Sequence, residues 1–170
     1  METVRTRIVS VAPGQGELIS LQGIGVQFKI GGAESGGSVA VVEHPMDPRR
    51  LVPPHTHSRE DELSYVLQGR VGVRIGDEIT ELGAGAYVLK PRGIKHTFWN
   101  PTDEPARLLE IITPAGFERY FAELPQLFAR GFAPGGPEHQ EFSREYGLEL
   151  SGDWIAELKQ RFGQKMLGER

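Results

Sequence analysis

Two histidines one residue apart, followed closely by three acidic residues, are the part of this 170-residue sequence best equipped for chemistry. Side chains alternate between the two faces of a β-strand, so His55 and His57 point to the same side. Imidazole is a common ligand of transition metals, and a nearby carboxylate favours a divalent ion. The candidate carboxylates are Glu60, Asp61 and Glu62. His96 lies on a later predicted strand that a closed β-structure brings beside the first.

Taken singly, each of these features has an ordinary structural interpretation. A pair of histidines is often a surface or core feature, and an acidic run is usually a solvated loop. The metal-site interpretation therefore depends on the whole set and on the elements that position it.

Short β-rich segments dominate the first two thirds of the sequence. At least seven apolar runs are bounded by Gly, Pro or other turn residues, which predicts a mainly β sandwich or barrel. After Thr113-Pro114 the apolar residues recur at helical spacing, although Pro125 is expected to break or bend the first helix. We therefore predict a β-barrel domain over residues 1–114 and a C-terminal helical extension over 115–170, packed on the barrel or on a second subunit.

Composition excludes several classes of partner. The net charge is −4 and no long basic run is present, which disfavours nucleic acid and anionic membranes. The sequence has no Cys, so it has neither disulfides nor thiolate chemistry. No stretch approaches the roughly 18 apolar residues of a membrane span. We expect a cytoplasmic protein that acts on a small molecule.

Two motifs in the sequence resemble those of the cupin superfamily. The first is Gly, five residues, His-x-His, three or four residues, Glu, six residues, Gly. The second is Gly, five residues, Pro-x-Gly, two residues, His, three residues, Asn. The matching residues are His55, His57, Glu62 and Gly69 in the first motif and Gly85, Pro91, Gly93, His96 and Asn100 in the second. One departure is Arg49, which stands at the first motif's opening glycine, a turn position.

The resemblance implies a cupin jelly-roll β-barrel with one divalent transition metal, which the sequence leaves open among Fe, Mn, Ni, Co and Zn. The implied ligands are His55, His57, Glu62 and His96. In this interpretation Glu62 also serves as the catalytic proton acceptor, and Glu60 and Asp61 are loop residues. His44 and His139 match no motif position and are interpreted as non-ligands.

The wider sequence is similar to small single-domain cupins of the quercetin-dioxygenase-like type. This similarity implies a metal-dependent dioxygenase or related oxidoreductase acting on a small enol, phenol or flavonol-like compound. The alternatives are a non-catalytic metal- and ligand-binding cupin and a metal-dependent sugar isomerase. Strand parity predicts that the substrate pocket is lined by Ser64, Val66 and Phe98. We also expect a homodimer, because an open sheet edge requires cover.

Overall fold

The computed structural model describes residues 8–169, so the first seven residues of the predicted N-terminal domain lie outside the described part. The strands are β1 (Leu18–Ser20), β2 (Gly25–Ile30), β3 (Ala40–Met46), β4 (Arg50–Leu51), β5 (His55–His57), β6 (Asp61–Gln68), β7 (Arg70–Ile75), β8 (Glu78–Gly83), β9 (Tyr87–Lys90), β10 (His96–Trp99), β11 (Ala106–Thr113), β12 (Leu148–Leu150) and β13 (Lys165–Met166). The helices are α1 (Gly32–Ser35), α2 (Glu118–Ala129), α3 (Pro137–Glu145) and α4 (Ile155–Phe162).

The strands form two sheets. One has six strands in the order β1-β2-β3-β11-β6-β9. In the other sheet, one edge of β10 pairs with β5 and then with β4, and its opposite edge pairs with β7. The mainly β prediction is confirmed, and the fold is that of a jelly roll with C-terminal helices. The predicted closed barrel is wrong, because the two sheets stay separate ladders throughout the described residues.

The C-terminal segment supplies strands as well as helices. β12 pairs with β5, placing Leu148 opposite His57 and Leu150 opposite His55. β13 pairs in parallel with β4. Propensity did not predict either strand, since each is only two or three residues long. None of the helices in residues 8–169 is long and apolar enough to cross a membrane.

Helix α2 runs through Pro125, so of the break or bend expected there the break does not occur. Its buried residues, Tyr120 and Leu124, join Phe117 in a core cluster that also includes Val26 and Val42 of the six-stranded sheet. This packing holds the helix against the sheet. The lost backbone hydrogen bond at Pro125 is therefore offset by tertiary burial.

Arg49, which stands at the glycine position of the first motif, adopts a left-handed backbone with φ 58°. Its guanidinium donates to both carboxylate oxygens of Asp103 and to the carbonyl oxygens of Pro101 and Phe162. A glycine would hold this conformation with less strain. The side-chain contacts offset that strain and tie the turn to the C-terminal helix α4.

Trp99 is fully buried and connects the second sheet to helix α4. Its indole packs with Leu51 and Leu158 in one core cluster, with Phe162 beside it. Gly72 on the neighbouring strand lies so close that a β-carbon there would overlap the indole ring. The close approach explains why this buried strand position is a glycine.

We predict that Gly72→Ala lowers the free energy of unfolding by about 1–3 kcal/mol, because the added methyl overpacks a rigid ring. The measurement is urea denaturation followed by circular dichroism. The matched control is Gly83→Ala on the paired strand β8, where a β-carbon meets no atom within 4 Å. Equal unfolding free energies for the two variants would contradict the close packing of Trp99.

Candidate metal centre

Four buried side chains from both sheets converge on one point. His55 and His57 lie on β5, His96 lies on β10, and the antiparallel pairing puts His96 directly opposite His55. Glu62 comes from β6 in the other sheet. Their potential ligand atoms all lie within 4.8 Å of one another. The two sheets therefore face each other across this cluster, and the structure brings together all four predicted ligands.

Backbone hydrogen bonds set the tautomers of two of the imidazoles. Nδ1 of His55 lies 2.7 Å from the carbonyl oxygen of Pro53, and Nδ1 of His96 lies 3.0 Å from that of Ile94. A carbonyl accepts only, so Nδ1 carries a proton in both rings, and in the neutral ring Nε2 keeps its lone pair. Nε2 of His96 faces Glu62 Oε2 at 3.2 Å. This arrangement is typical of metal-binding histidines, whose second nitrogen is oriented by a backbone or carboxylate acceptor.

His57 provides the test of whether a metal fits. The side chain is 1% exposed, yet neither ring nitrogen has a hydrogen-bond partner in the described structure. Nε2 lies 3.4 Å from Glu62 Oε1. Buried polar atoms without partners are costly. A cation between Nε2 of His57 and Oε1 of Glu62 would give a partner to each of these two atoms. The donor set fits a divalent transition metal.

The loop before β6 contributes a further buried acid. Glu60 does lie in the loop, as predicted, but it is buried, and its carboxylate is 3.4 Å from Nδ1 of His57. It is placed as the orienting carboxylate of that imidazole. Asp61 was also predicted to be a loop residue, but it begins β6 and pairs with Arg92 at the surface.

A buried lysine that sequence reasoning missed holds the ligand carboxylate. Lys90 Nζ lies 2.9 Å from Glu62 Oε2 and 2.7 Å from Glu110 Oε2. The other oxygen of Glu110 accepts a hydrogen bond from Ser64. The alternation of side chains along β11 could have indicated a buried charge. Glu110 lies on the same inward face as the apolar Leu108 and Ile112.

The charges of this network determine its protonation. Burial raises the pKa of Glu62, but Lys90 and His57 outweigh burial and hold that pKa well below 4.5. Burial raises the pKa of Glu110 to about 7, against the opposing effect of Lys90. Burial also lowers the pKa of His55 well below 6.5, and it lowers that of His96. At neutral pH His55 and His96 are therefore neutral, and Glu62 is ionised.

A mostly apolar cavity of about 80 Å³ opens onto the cluster. Of the three predicted pocket residues, Phe98 lines this cavity. Ser64 faces inward but is bonded to Glu110, and Val66 is packed in the core cluster around Phe98. Phe117 at the start of α2 packs edge-on against His57, with ring centroids 4.3 Å apart. Helices α2 and α3 thus cover the side of the cavity away from the strands.

Comparison with known proteins identifies the domain type. A family model described as a cupin domain matches residues 43–112. The chain is 35% identical to germin-like protein 9-3 of Oryza sativa over 83 residues, which cover 46% of this chain and 38% of that protein. It is 32% identical to polyketide synthase CurC of Streptomyces cyaneus over 69 residues, covering 41% and 45%. These matches span less than half the length of either relative.

Solved structures show the same fold. KdgF from Halomonas superposes with a TM-score of 0.58 at 18% identity, covering 65% of this chain and 96% of that one. An RmlC-like cupin from Shewanella frigidimarina gives a TM-score of 0.53 at 22% identity, covering 62% and 90%. Residues 43–112 thus match a cupin domain, and the solved structures share the fold that surrounds the His and Glu cluster.

Proposed function

We propose that this protein is a metal-dependent oxidoreductase, a dioxygenase acting on a small enol or phenol. The observation that carries the proposal is the convergence of three imidazoles and one carboxylate at the wall of an apolar cavity. Three His and one Glu leave coordination positions open for a substrate on a six-coordinate ion. The quercetin-dioxygenase-like subtype inferred from the sequence is part of this proposal for its type of reaction, with a substrate smaller than a flavonol.

The protein's own groups would hold the ion and shape the chamber. His55, His57 and His96 present ring nitrogens, and Glu62 presents Oε1 while Lys90 engages Oε2. A bound divalent ion supplies Lewis acidity and a template for a substrate oxygen. The sequence-based role of Glu62 as proton acceptor stays a prediction, and its low pKa weighs against it because a weakly basic carboxylate takes protons poorly.

The cavity supports the smaller members of the predicted substrate class. Benzene occupies an engineered apolar cavity of about 150 Å³, so a single ring in about 80 Å³ requires a small movement of half-buried side chains such as Phe121. A three-ring flavonol is too large. The similarity to a protein named as a polyketide synthase also supports an enol or phenol, since polyketide chains are enolisable and cyclise to phenols.

The apolar lining disfavours the sugar isomerase alternative. A sugar presents many hydroxyl groups, each of which needs a polar partner when buried. The cavity wall is predominantly apolar outside the metal cluster and a few histidine, tyrosine and carboxylate groups. The second alternative, a non-catalytic binding protein, would be favoured by metal binding without O₂ uptake.

We predict that His57→Ala and His96→Ala each lose most of the bound metal, measured by elemental analysis of protein purified without chelator. Glu60→Gln is expected to weaken metal binding by about 10–100-fold, because it removes the carboxylate beside His57. Asp61→Asn is the matched control and should keep its metal, since its side chain pairs with Arg92 outside the site. Unchanged metal content in both alanine variants would refute the ligand assignment.

We predict that added metal raises the melting temperature at pH 7.5 and at pH 6, and that the rise shrinks at pH 4.5. Metal bound to the folded state stabilises it by mass action. Protons compete with metal at imidazole nitrogen. Because burial lowers the pKa of His55 and His96 in the fold, this competition begins below 6.5, the value for free imidazole. Identical melting curves for chelated and metal-loaded protein at pH 7.5 would exclude the site.

We predict metal-dependent O₂ uptake by the metal-loaded protein with at least one compound in a panel of small diketones, catechols and single-ring phenols. An oxygen electrode provides the measurement, and His96→Ala serves as the control that lacks a ligand. Metal binding without O₂ uptake on any panel member would favour the non-catalytic alternative.

A further inference from the structure

We propose that His44 is a substrate-binding residue, and that its ligand is an uncharged, mostly apolar molecule carrying a hydroxyl or N–H group. This inference rests on the proposed function for the identity of the cavity as a substrate site. It adds the residue that would recognise the substrate's polar group.

His44 occupies the wall of the cavity in an otherwise apolar row. The inward-facing positions of β3 are Ala40, Val42, His44 and Met46, all of them buried. The ring also lies near the aromatic side chains of Phe98 and Phe121, with centroids 5.9 and 5.5 Å away. A histidine needs a polar partner for each nitrogen when buried in such surroundings.

Only one nitrogen of His44 is engaged in the described part of the chain. Nδ1 lies 3.0 Å from the carbonyl oxygen of Gly25 on the neighbouring strand. The carbonyl must accept, so Nδ1 carries the proton and Nε2 is the acceptor. Burial lowers the pKa of His44 to about 4, which keeps the ring neutral at physiological pH. His44 therefore brings one unused acceptor to the cavity wall.

A second histidine in the wall of the same cavity has a hydrogen-bond partner at each ring nitrogen. His139 accepts at Nδ1 from the backbone N–H of Gly135, and its Nε2 bonds the hydroxyl of Tyr120. Both nitrogens of His139 are used within the protein. The contrast singles out His44 as the ring with capacity for a ligand.

The charges around the cavity determine the ligand class. Of the described lining residues none is Arg or Lys, whereas two carboxylates, Glu62 and Glu110, are among them. Lys90 is directed to those carboxylates. An anion in the apolar part of the cavity would thus meet no protein cation. A neutral hydroxyl would meet the acceptor of His44 and apolar side chains.

The test compares three probes of similar shape: phenol, benzene and benzoate. Binding to the full chain is followed by NMR titration, once on protein as purified and once after chelation, with the metal content measured in each sample. We expect wild-type protein to bind phenol about 10-fold more tightly than benzene, the effect of one well-formed hydrogen bond. Benzoate should bind more weakly than either probe in the chelated protein.

Three variants locate this preference. His44→Phe should bind phenol and benzene within about twofold of each other, because it keeps an aromatic ring and removes the acceptor. His44→Gln offers an amide oxygen and should retain part of the preference. Asp61→Asn is the control and should keep the wild-type ratio, because its side chain pairs with Arg92 at the surface. Benzene binding reports that each variant still has a folded cavity.

A preference for phenol that persists in His44→Phe after chelation would overturn the inference, because in metal-loaded protein the ion also binds a phenol oxygen. Tight benzoate binding to chelated wild-type protein would also overturn it, even if His44→Phe failed to fold. If the four ligands hold metal but the preference for phenol does not depend on His44, this inference fails and the proposed function stands. A His44-dependent preference in a protein that binds no metal would support it while defeating the proposed function.

Discussion

A single ammonium group shared by two buried carboxylates is the constraint on which the site depends. Lys90 on β9, Glu62 on β6 and Glu110 on β11 belong to three adjacent strands of the six-stranded sheet. Removing the lysine would leave two like charges in an apolar interior, a far larger cost than the loss of a surface ion pair. The contact also fixes the Glu62 carboxylate, whose Oε2 lies beside Lys90 and His96 and whose Oε1 faces His57.

This network explains how an acidic site can lie inside a hydrophobic core. Lys90 balances one of the two carboxylates, and the high pKa of Glu110 lets it take up a proton near neutral pH. The strongest charges of the interior are thus confined to the cluster, and the adjoining cavity keeps its apolar character.

The sequence predicted which four side chains the fold brings together better than it predicted their surroundings. His55, His57, Glu62 and His96 were identified because their spacing follows a recurrent motif, and strand alternation places the two neighbouring histidines together. Lys90 has no such signal, since its partners come from strands distant in sequence. The burial of Glu60 depends on the turn after β5 and on α2, which local patterns do not describe. The strands β12 and β13 were missed because pairing, not propensity, creates them.

The position of β12 has a consequence for how the chain matures. It is the outer neighbour of the histidine strand β5, yet it lies about 90 residues later in the sequence. A ribosome adds roughly 5–20 residues per second, so for about 5–20 s the nascent histidine strand lacks its partner. During that interval its edge is open to pairing with other chains. Completion of the sheet around the strand that carries His55 and His57 is therefore a late event in synthesis.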